Sequence, residues 1–312
     1  MSGPYSIVVV TWQSAGHLAA LVESMNHRLA ERPELLVVDN DSDDDPEVAA
    51  RGWEGELRFL RLAENRGYGA AANVGVREAQ GDAVVLLNPD TELLDSGLGA
   101  LARFALERRA LAGPRLRNAD GSPQPSASGP PVGIWPWIGA VVPGRVQPGA
   151  LLAGTEAWRL DRLTRVASLT GACVAGPRAV LRELGPFDPA IEMFGEDLDL
   201  CLRAARAGVP SYFHPTACEV MHHGGASAAV RWAGGADSVV ALTRRAVLRR
   251  TFGERRERAA WLAQRLNLRL RVTAKRALRR DASRDAAALR AAVSARPVPD
   301  LPPPPSPQSP PA

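Results

Sequence analysis

The chain has 312 residues, of which 46% are hydrophobic and 23% charged, and this composition favours a globular protein over a disordered one. Its net charge of +4 hides an asymmetry, because residues 1–240 carry 21 basic and 29 acidic side chains whereas residues 241–312 carry 17 and 5. Three cysteines without CxxC spacing argue against a disulfide framework and a structural zinc site. We recognise no signal peptide and no apolar run long enough to span a bilayer, so we expect a cytoplasmic protein.

Short runs rich in Val, Ile and Leu alternate with helical patterns along the first hundred residues. The predicted strands are 6–10, 35–38, 58–62 and 83–87, and the predicted helices are 17–29, 46–51 and 70–79. This alternation predicts a parallel sheet of βαβ units whose strands are buried on both faces. Ligands bind such sheets at the carboxyl ends of the strands, where polar residues follow each predicted strand.

The second half of the chain is less regular. We expect irregular structure over 118–165, a strand at 169–175, a helix opened by Pro177, a helix that begins at Glu196, and a strand at 211–214. Residues 243–296 have a helical composition. The last sixteen residues contain nine prolines and predict a disordered tail.

Two acids end buried strands in the first half. Asp39 and Asp90 could each hold a ribose hydroxyl or a hard cation, although either could simply cap the next helix or turn. Between them, residues 65–69 form a glycine-bearing loop before a helix, which suits a phosphate. The loop does not match GxGxxG, and Lys275 is the only lysine, so dinucleotide and P-loop sites are disfavoured.

Three more acids begin the helix at Glu196. Acids in a first turn often only stabilise the helix dipole, but Asp197 with its neighbour Glu196 could be a partly desolvated general base. Asp199 is expected to cap or orient. The pair His222–His223 could supply a metal ligand or a phosphate contact, or could be structural.

These features occur in the order seen in family-2 glycosyltransferases, and over residues 5–227 the chain most resembles the bacterial rhamnosyltransferase branch. The matching positions are Thr11, 37–40, 65–69, Asn73, 88–90, 170–173, 187–188, 195–200 and 222–223.

The resemblance implies an α/β GT-A fold, a mostly parallel sheet flanked by helices, and an inverting transfer from a nucleotide-diphospho-sugar. The implied donor-binding residues are Thr11, Asp39, Asn65, Gly67, Asn73 and Asn88. By the same resemblance Asp90 and His222 would hold Mg²⁺ or Mn²⁺, and Asp197, with Glu196 beside it, would deprotonate the acceptor. The resemblance further implies a domain over 1–240, with a nucleotide-binding half (1–117), an irregular or lid segment (118–167) and an acceptor-binding half (168–240).

Two departures from the branch stand out. Asn88 replaces the first acid of the metal motif, which leaves Asp90 as its only carboxylate and makes the cation weakly bound or optional. Residues 191–194 lack the aromatic pair usual before the Glu-Asp, which bears on acceptor identity.

The basic segment 241–296 follows this domain, and the proline-rich tail covers 297–312. On a helix, Arg258, Arg265, Arg269, Arg276 and Arg280 form one stripe beside small and apolar residues. Such a helix suits an anionic membrane surface, or it packs on the acidic body; nucleic acid is disfavoured.

The sequence therefore favours an enzyme at the inner face of the plasma membrane that moves L-rhamnose from dTDP-L-rhamnose to a polyprenyl-linked or polysaccharide acceptor in cell-envelope glycan synthesis. Three alternatives stay open: a UDP- or GDP-sugar donor, a catalytically silent nucleotide- or membrane-binding scaffold, and a sugar nucleotidyltransferase.

Overall fold

The computed structural model describes residues 5–191, 194–224, 236–294 and 300–303. Its strands are β1 (Tyr5–Thr11), β2 (Glu34–Asp39), β3 (Leu57–Arg61), β4 (Ala83–Leu87), β5 (Thr91–Leu93), β6 (Leu111–Gly113), β7 (Arg115–Arg117), β8 (Pro123–Gln124), β9 (Ala127–Ser128), β10 (Thr164–Val166), β11 (Ser168–Leu169), β12 (Cys173–Pro177), β13 (Ser211–Phe213) and β14 (Glu219–His222).

Its α-helices are α1 (Ala15–Arg28), α2 (Pro46–Ala50), α3 (Tyr68–Glu78), α4 (Leu98–Glu107), α5 (Trp135–Val141), α6 (Gly149–Gly154), α7 (Arg178–Leu184), α8 (Glu196–Arg206), α9 (Ala236–Phe252), α10 (Glu254–Ala277) and α11 (Ser283–Ser294), and short 3₁₀ turns cover Gly144–Val146 and Ala157–Arg159.

A mixed eight-stranded sheet forms the centre of the molecule, with the strand order β10-β13-β6-β12-β4-β1-β2-β3. Strands β3, β2, β1 and β4 run parallel, and β12 inserts antiparallel beside β4. Successive residues point to opposite faces, so Ile7 and Val9 pack under α1 and α4 while Val8 and Val10 pack under α3, α7 and α8. Burial on both faces confirms the βαβ prediction.

Strand pairing brings the candidate polar residues to one edge of this sheet. Thr11 and Asp39 are direct partners at the carboxyl ends of β1 and β2. A second sheet, β5-β14-β7-β8, pairs His222 with Thr91, and the His223 N–H donates to the Asp90 carbonyl. The register therefore puts His222 beside Asp90, which follows β4.

Two predictions in the middle of the chain were wrong. Residues 118–165 contain helices α5 and α6 as well as short strands, because prolines such as Pro136 and Pro148 occupy helix starts, where a missing N–H costs nothing. The single strand at 169–175 is instead β11 and β12 with a turn at 170–172. That turn frees the Gly171 N–H to donate to Asp197 Oδ2 at 3.0 Å.

The C-terminal helices pack against the body. Val247 and Leu248 of α9 join Ile191, Leu198 and Leu202 in one apolar cluster. Asn267 Nδ2 of α10 donates to the Gly139 carbonyl of α5 at 2.6 Å.

Part of the predicted disordered tail is ordered. Residues 300–303 lie against α9, where Arg250 donates to the Pro302 carbonyl at 2.9 Å; the rest of 297–312 lies outside the described residues. No helix in the described ranges has the length and apolarity needed to cross a bilayer.

Ion pairs reinforce the contact between α9 and the body. Arg250 reaches Asp188 at 2.5 Å and Asp199 at 2.7 Å, and Arg203 reaches the other oxygen of Asp199 at 2.6 Å. All four side chains are at most 9% exposed. Removing one partner from such a network leaves a buried carboxylate without its counter-charge, which is costly.

We predict that Arg250→Ala lowers the free energy of unfolding by about 3–5 kcal/mol, because Asp188 and Asp199 would lose a buried counter-charge. Urea unfolding followed by circular dichroism measures the change. Arg258→Ala, which removes an exposed pair with Glu254 on α10, is the matched control and should cost less than about 1 kcal/mol. Equal losses in the two variants would contradict the prediction.

Candidate active site

Two buried oxygens at the ends of β1 and β2 have no hydrogen-bond partner among the described residues: Thr11 Oγ1 and Asp39 Oδ2. Asp39 Oδ1 accepts from the Ser42 N–H at 3.2 Å. Asp39 Oδ2 lies 3.4 Å from Arg61 Nε, which is close enough for an ion pair. Since buried polar atoms are almost always hydrogen-bonded, this edge of the sheet is suited to a ligand that donates hydrogen bonds.

The glycine-bearing loop before α3 is held by an asparagine that the sequence analysis did not assign. Asn40 Nδ2 donates to Asn65 Oδ1, and Asn40 Oδ1 accepts from the Arg66 N–H, both at 3.0 Å. Gly67 begins α3 with a φ of 81°, a backbone conformation that favours glycine. The first N–H groups of α3 have no acceptor within the helix, which suits them to an anion.

Two predicted donor-binding residues have other visible contacts. Asn73 donates to the Phe187 carbonyl at 2.8 Å and accepts from the Phe187 N–H at 2.9 Å, so its side chain ties α3 to the segment before α8. The backbone of Asn88 pairs with Ala172 and accepts from the Thr91 hydroxyl. Their contribution to donor binding stays a prediction.

Asp90 and His222 face each other, with Asp90 Oδ1 3.4 Å from His222 Nε2. Gln124 Oε1 lies 2.8 Å from His222 Nδ1 and fixes the ring. Burial alone would raise the pKa of Asp90, but the hydrogen bond and charge of His222 outweigh it and lower that pKa. Asp90 is therefore ionised at neutral pH.

The Asp90–His222 pair offers one carboxylate and one imidazole to a divalent cation. The described residues contain no group of three or more His, Cys, Asp or Glu side chains arranged to hold a metal. Mg²⁺ sites in phosphate-transferring proteins commonly use one or two protein oxygens plus the phosphates of the substrate. An ionised Asp90 with one adjacent imidazole fits a cation that is held jointly with a diphosphate.

Two further titratable groups at this edge, His17 and Glu92, were missed by the sequence analysis, and both contact His223. His223 Nε2 lies 2.7 Å from Glu92 Oε1, and the His17 and His223 rings lie 5.9 Å apart between centroids. His17 also contributes to the lowered pKa of Asp90. Only their contacts identify these residues, because His17 and Glu92 belong to no recognised motif.

The acid pair begins α8 after a strained turn. Phe194 and Gly195 have φ values of 64° and 110°, and a non-glycine residue in this region is typical of functional sites. Asp197 accepts from the Gly171 N–H at 3.0 Å and from the Leu198 N–H at 2.7 Å. Glu196 Oε2 has no hydrogen-bond partner within the described part of the chain.

The surroundings of the two acids determine which of them holds a proton more firmly. Burial raises the pKa of Glu196, and the charge of Asp197 raises it further, while backbone hydrogen bonds oppose the effect. Burial also raises the pKa of Asp197, and its two backbone N–H donors and the charge of Arg244 oppose that effect only in part. Because only Asp197 has a nearby cation among these causes, the pair favours the proton on Glu196.

Tyr68 links the acid pair to Asp90. Burial raises the pKa of its phenol, and the charges of Glu196, Asp197 and Asp90 add to the effect, so the phenol is close to both groups of acids. Its ring packs edge-on against Phe187 with centroids 5.4 Å apart. Tyr68 lies inside the 65–69 motif, but nothing in the sequence pattern distinguished it from its neighbours.

A cavity of about 320 Å³ opens on the acid pair and is lined by Ser126, Trp158, Thr170, Asp197 and Arg244, among others. Arg244 comes from α9, within the segment that the sequence analysis assigned to a basic extension. The site therefore combines the polar edge of the sheet with a cavity faced by a carboxylate, and Tyr68 is close to the acids of both parts.

Comparison with known proteins shows the family of the chain. Residues 6–152 match the family described as Glycosyl transferase family 2. An N-acetylglucosaminyl-diphospho-decaprenol L-rhamnosyltransferase of Mycobacterium tuberculosis is 33% identical over 243 residues, which cover 72% of this chain and 77% of that protein.

Solved structures show the same fold. A mannosyltransferase from Pyrobaculum calidifontis in complex with GDP-Man and Mn²⁺ superposes with a TM-score of 0.60 at 16% identity, covering 95% of this chain and 86% of the other. GalNAc-T7 with UDP, GalNAc and Mn²⁺ superposes with a TM-score of 0.55 at 20% identity, covering 71% of this chain and 43% of the other.

We predict that Glu196 titrates well above the usual range of a glutamate and that Asp197→Asn lowers its pKa, because the variant removes the neighbouring negative charge. Burial remains in the variant, so the pKa should stay above the ordinary value of about 4.3. Carbon-13 NMR of the glutamate side-chain carboxyls over pH measures both values. A Glu196 pKa that is ordinary in the wild type, or unchanged in the variant, would refute the predicted coupling.

Proposed function

The chain belongs to glycosyltransferase family 2, in its rhamnosyltransferase branch and with the GT-A fold, and from that premise we propose that it transfers L-rhamnose from dTDP-L-rhamnose to a lipid-linked, GlcNAc-bearing acceptor. The observation that carries the proposal is the buried Asp197, which accepts from the Gly171 and Leu198 N–H groups and faces a cavity, with Tyr68 close both to it and to Asp90. The relative from Mycobacterium tuberculosis suggests the sugar and the acceptor class.

The donor would bind along the edge formed by β1, β2 and α3. Thr11 Oγ1 and Asp39 Oδ2 are the buried acceptors available to the base and ribose. Asn65 and Gly67 shape the loop that leads into the free N–H groups of α3, where a diphosphate would be favoured. Asn73 would act mainly by keeping α3 against Phe187.

Asp90 and His222 would hold the divalent cation. When bound, the cation would neutralise the negative charge that grows on the departing diphosphate. The GT-A structures described above were determined with Mn²⁺, which supports a cation for this chain. Because Asn88 supplies no carboxylate, we infer that the protein alone holds the cation weakly and that donor and cation bind together.

The acceptor hydroxyl would lie in the cavity next to Asp197. As its oxygen attacks the anomeric carbon, Asp197 takes the hydroxyl proton, and the bond between that carbon and the diphosphate oxygen breaks with its electron pair on the diphosphate. A single displacement of this kind inverts the anomeric configuration. With the proton of the pair on Glu196, Asp197 would be the carboxylate that accepts the proton of the hydroxyl.

The outer face of α10 would contact an anionic membrane surface. The helix packs inward through Trp261, Leu268 and Val272, all at most 9% exposed. Its other side exposes Leu262 and Leu270 next to the exposed arginines 258, 269 and 276. Exposed leucines beside a stripe of arginines are typical of helices that lie on anionic lipid.

Calorimetry with a panel of donors tests the proposed donor: dTDP-rhamnose, UDP-glucose, UDP-galactose and GDP-mannose, each with and without Mn²⁺. We predict selective binding of dTDP-rhamnose that Mn²⁺ strengthens and that Asp90→Asn weakens about tenfold or more. Tight binding of another donor would show that the transferred sugar is not rhamnose. Absence of binding to every donor would overturn the donor assignment.

A second arm separates an enzyme from a silent scaffold. Asp197→Asn should bind the donor as the wild type does and lose about 10²- to 10⁴-fold in turnover, which is the usual contribution of a general base. Asp82→Asn, on an exposed residue away from the site, is the matched control. Release of a nucleoside diphosphate, and not pyrophosphate, excludes a sugar nucleotidyltransferase.

We predict that the protein co-sediments with vesicles that contain phosphatidylglycerol and less with phosphatidylcholine vesicles. Each arginine near an anionic surface contributes about 1 kcal/mol, so the double variant Arg269→Gln/Arg276→Gln should bind about thirtyfold more weakly. Arg103→Gln/Arg108→Gln, on exposed residues of α4 and of its C-cap, removes the same charge elsewhere. If both double variants bind alike, α10 is not the contact surface.

A further inference from the structure

A second cavity lies behind the one that Asp197 faces. It has a volume of about 410 Å³, and Ser128, Thr155, Val240 and Arg244 line both cavities. The two are therefore compartments of one groove, which leads from the acid pair to the space between α5 and α10. A volume of this size is ordinary for a small-molecule site.

One wall of the second compartment is apolar, and we call it the apolar compartment for this reason. The wall consists of Trp135, Pro136, Leu248 and Trp261, while polar side chains such as Gln264 also line the space. The charged residues of the lining are largely paired: Arg245 reaches Glu257 at 2.5 Å and stacks over Trp261 at 4.7 Å from the ring centroid, and Glu156 pairs with Arg159. An apolar wall of this kind suits a hydrocarbon chain.

Arg244 lies where the two compartments meet. Among the residues that the structure describes, no carboxylate forms an ion pair with Arg244. Burial lowers the pKa of its guanidinium, and the charge of Asp197 offsets this only in part. A partly buried cation that lines both compartments and forms no ion pair within the described residues is suited to an anionic group, and a guanidinium binds phosphate oxygens well.

We propose that this groove is the site of the acceptor lipid, in which Arg244 binds the diphosphate and the apolar compartment between α5 and α10 holds the first isoprenoid units. The inference rests on the proposed function, since it assigns the binding site of the same acceptor. The order of groups along the groove matches that acceptor: hydroxyl at Asp197, diphosphate at Arg244 and chain beside Trp135 and Trp261.

Exposed apolar side chains on the elements that form the apolar compartment support an exit toward lipid. Ile134, Val141 and Val146, on the segment that forms the α5 wall, are each more than half exposed, at 62%, 57% and 64%. Leu262 on the α10 side is 53% exposed. A chain longer than the cavity could therefore continue from the groove along an apolar surface and into the bilayer.

Calorimetry with farnesyl diphosphate tests the site without any need for sugar transfer. The titration is done with saturating dTDP and Mn²⁺, so that the diphosphate of the probe does not occupy the donor site. We expect the wild-type protein to bind farnesyl diphosphate more tightly than farnesol or pyrophosphate, because only the full probe places a diphosphate at Arg244 and a chain in the apolar compartment.

Two variants act separately on the apolar compartment and on Arg244. Gly139→Leu fills the apolar compartment, since a Cβ at Gly139 would point toward Thr155 and meet nothing closer than 3.7 Å. Gly149→Leu, where a Cβ likewise meets nothing closer than 3.7 Å and which does not line the cavity, is the matched control. Arg244→Gln removes the cation, and Arg103→Gln on α4 is its control.

We expect Gly139→Leu and Arg244→Gln each to weaken binding of farnesyl diphosphate about tenfold or more, Arg244→Lys to restore part of it, and both controls to bind as the wild type does. Absence of binding to the wild type, or equal binding by all variants, would overturn the inference. Thermal unfolding checks that each variant is folded. Failure of sugar transfer with this binding pattern intact would refute the proposed function alone.

Discussion

The site depends on a buried network in which two arginines hold Asp199. Arg203 and Asp199 are one turn apart on α8, and Arg203 also donates to the Leu184 and Pro186 carbonyls at 2.6 and 2.9 Å. Arg250 enters from α9 and bridges Asp199 to Asp188. The network therefore fixes three segments to one another: the helix that begins with the acid pair, the loop before it, and the C-terminal helices.

The consequences of this network reach the nucleotide edge of the sheet. The fixed loop continues into Phe187, whose backbone is bonded by Asn73 of α3 and whose ring packs against Tyr68. The position of Tyr68, close to Asp90 and Asp197, thus depends on this network. The same network holds α9 in place and with it Arg244, so the proposed donor edge, base and acceptor groove share one support.

The sequence predicted the repeating strand–helix units of the fold. The four strands of the parallel unit and their helices followed from hydrophobic periodicity, because each is buried on a sheet face. The helices within residues 118–165 could not be predicted in this way, because α5 and α6 are short and begin next to prolines, which usually mark turns. Asp199 was expected to cap or orient. Its ion pairs with Arg203 and Arg250 orient α8 relative to α9.

The residues of the site also divide into those that the sequence identified and those that it did not. Asp39, Asp90 and Asp197 could be selected because they follow strands or begin a helix in a family order. Tyr68 and Asn40 lay within motifs but could not be singled out, since their roles depend on what other segments bring next to them. Arg244 could not be found at all, because it is one of 17 basic residues in the segment 241–312 and only packing distinguishes it.

The charge asymmetry of the sequence is explained by two groups of arginines on the C-terminal helices, one buried and one exposed. Arginines that face inward from α9 neutralise buried acids, as Arg250 does for Asp188 and Asp199 and Arg245 does for Glu257. Arginines on the outer side of α10 remain exposed. One basic segment thus fastens the helices to an acidic body and still leaves a basic surface beside the mouth of the apolar compartment. An acceptor anchored in anionic lipid would meet that surface and the groove together, which gives a physical reason for the basic helices and the acceptor groove to lie on one side of the molecule.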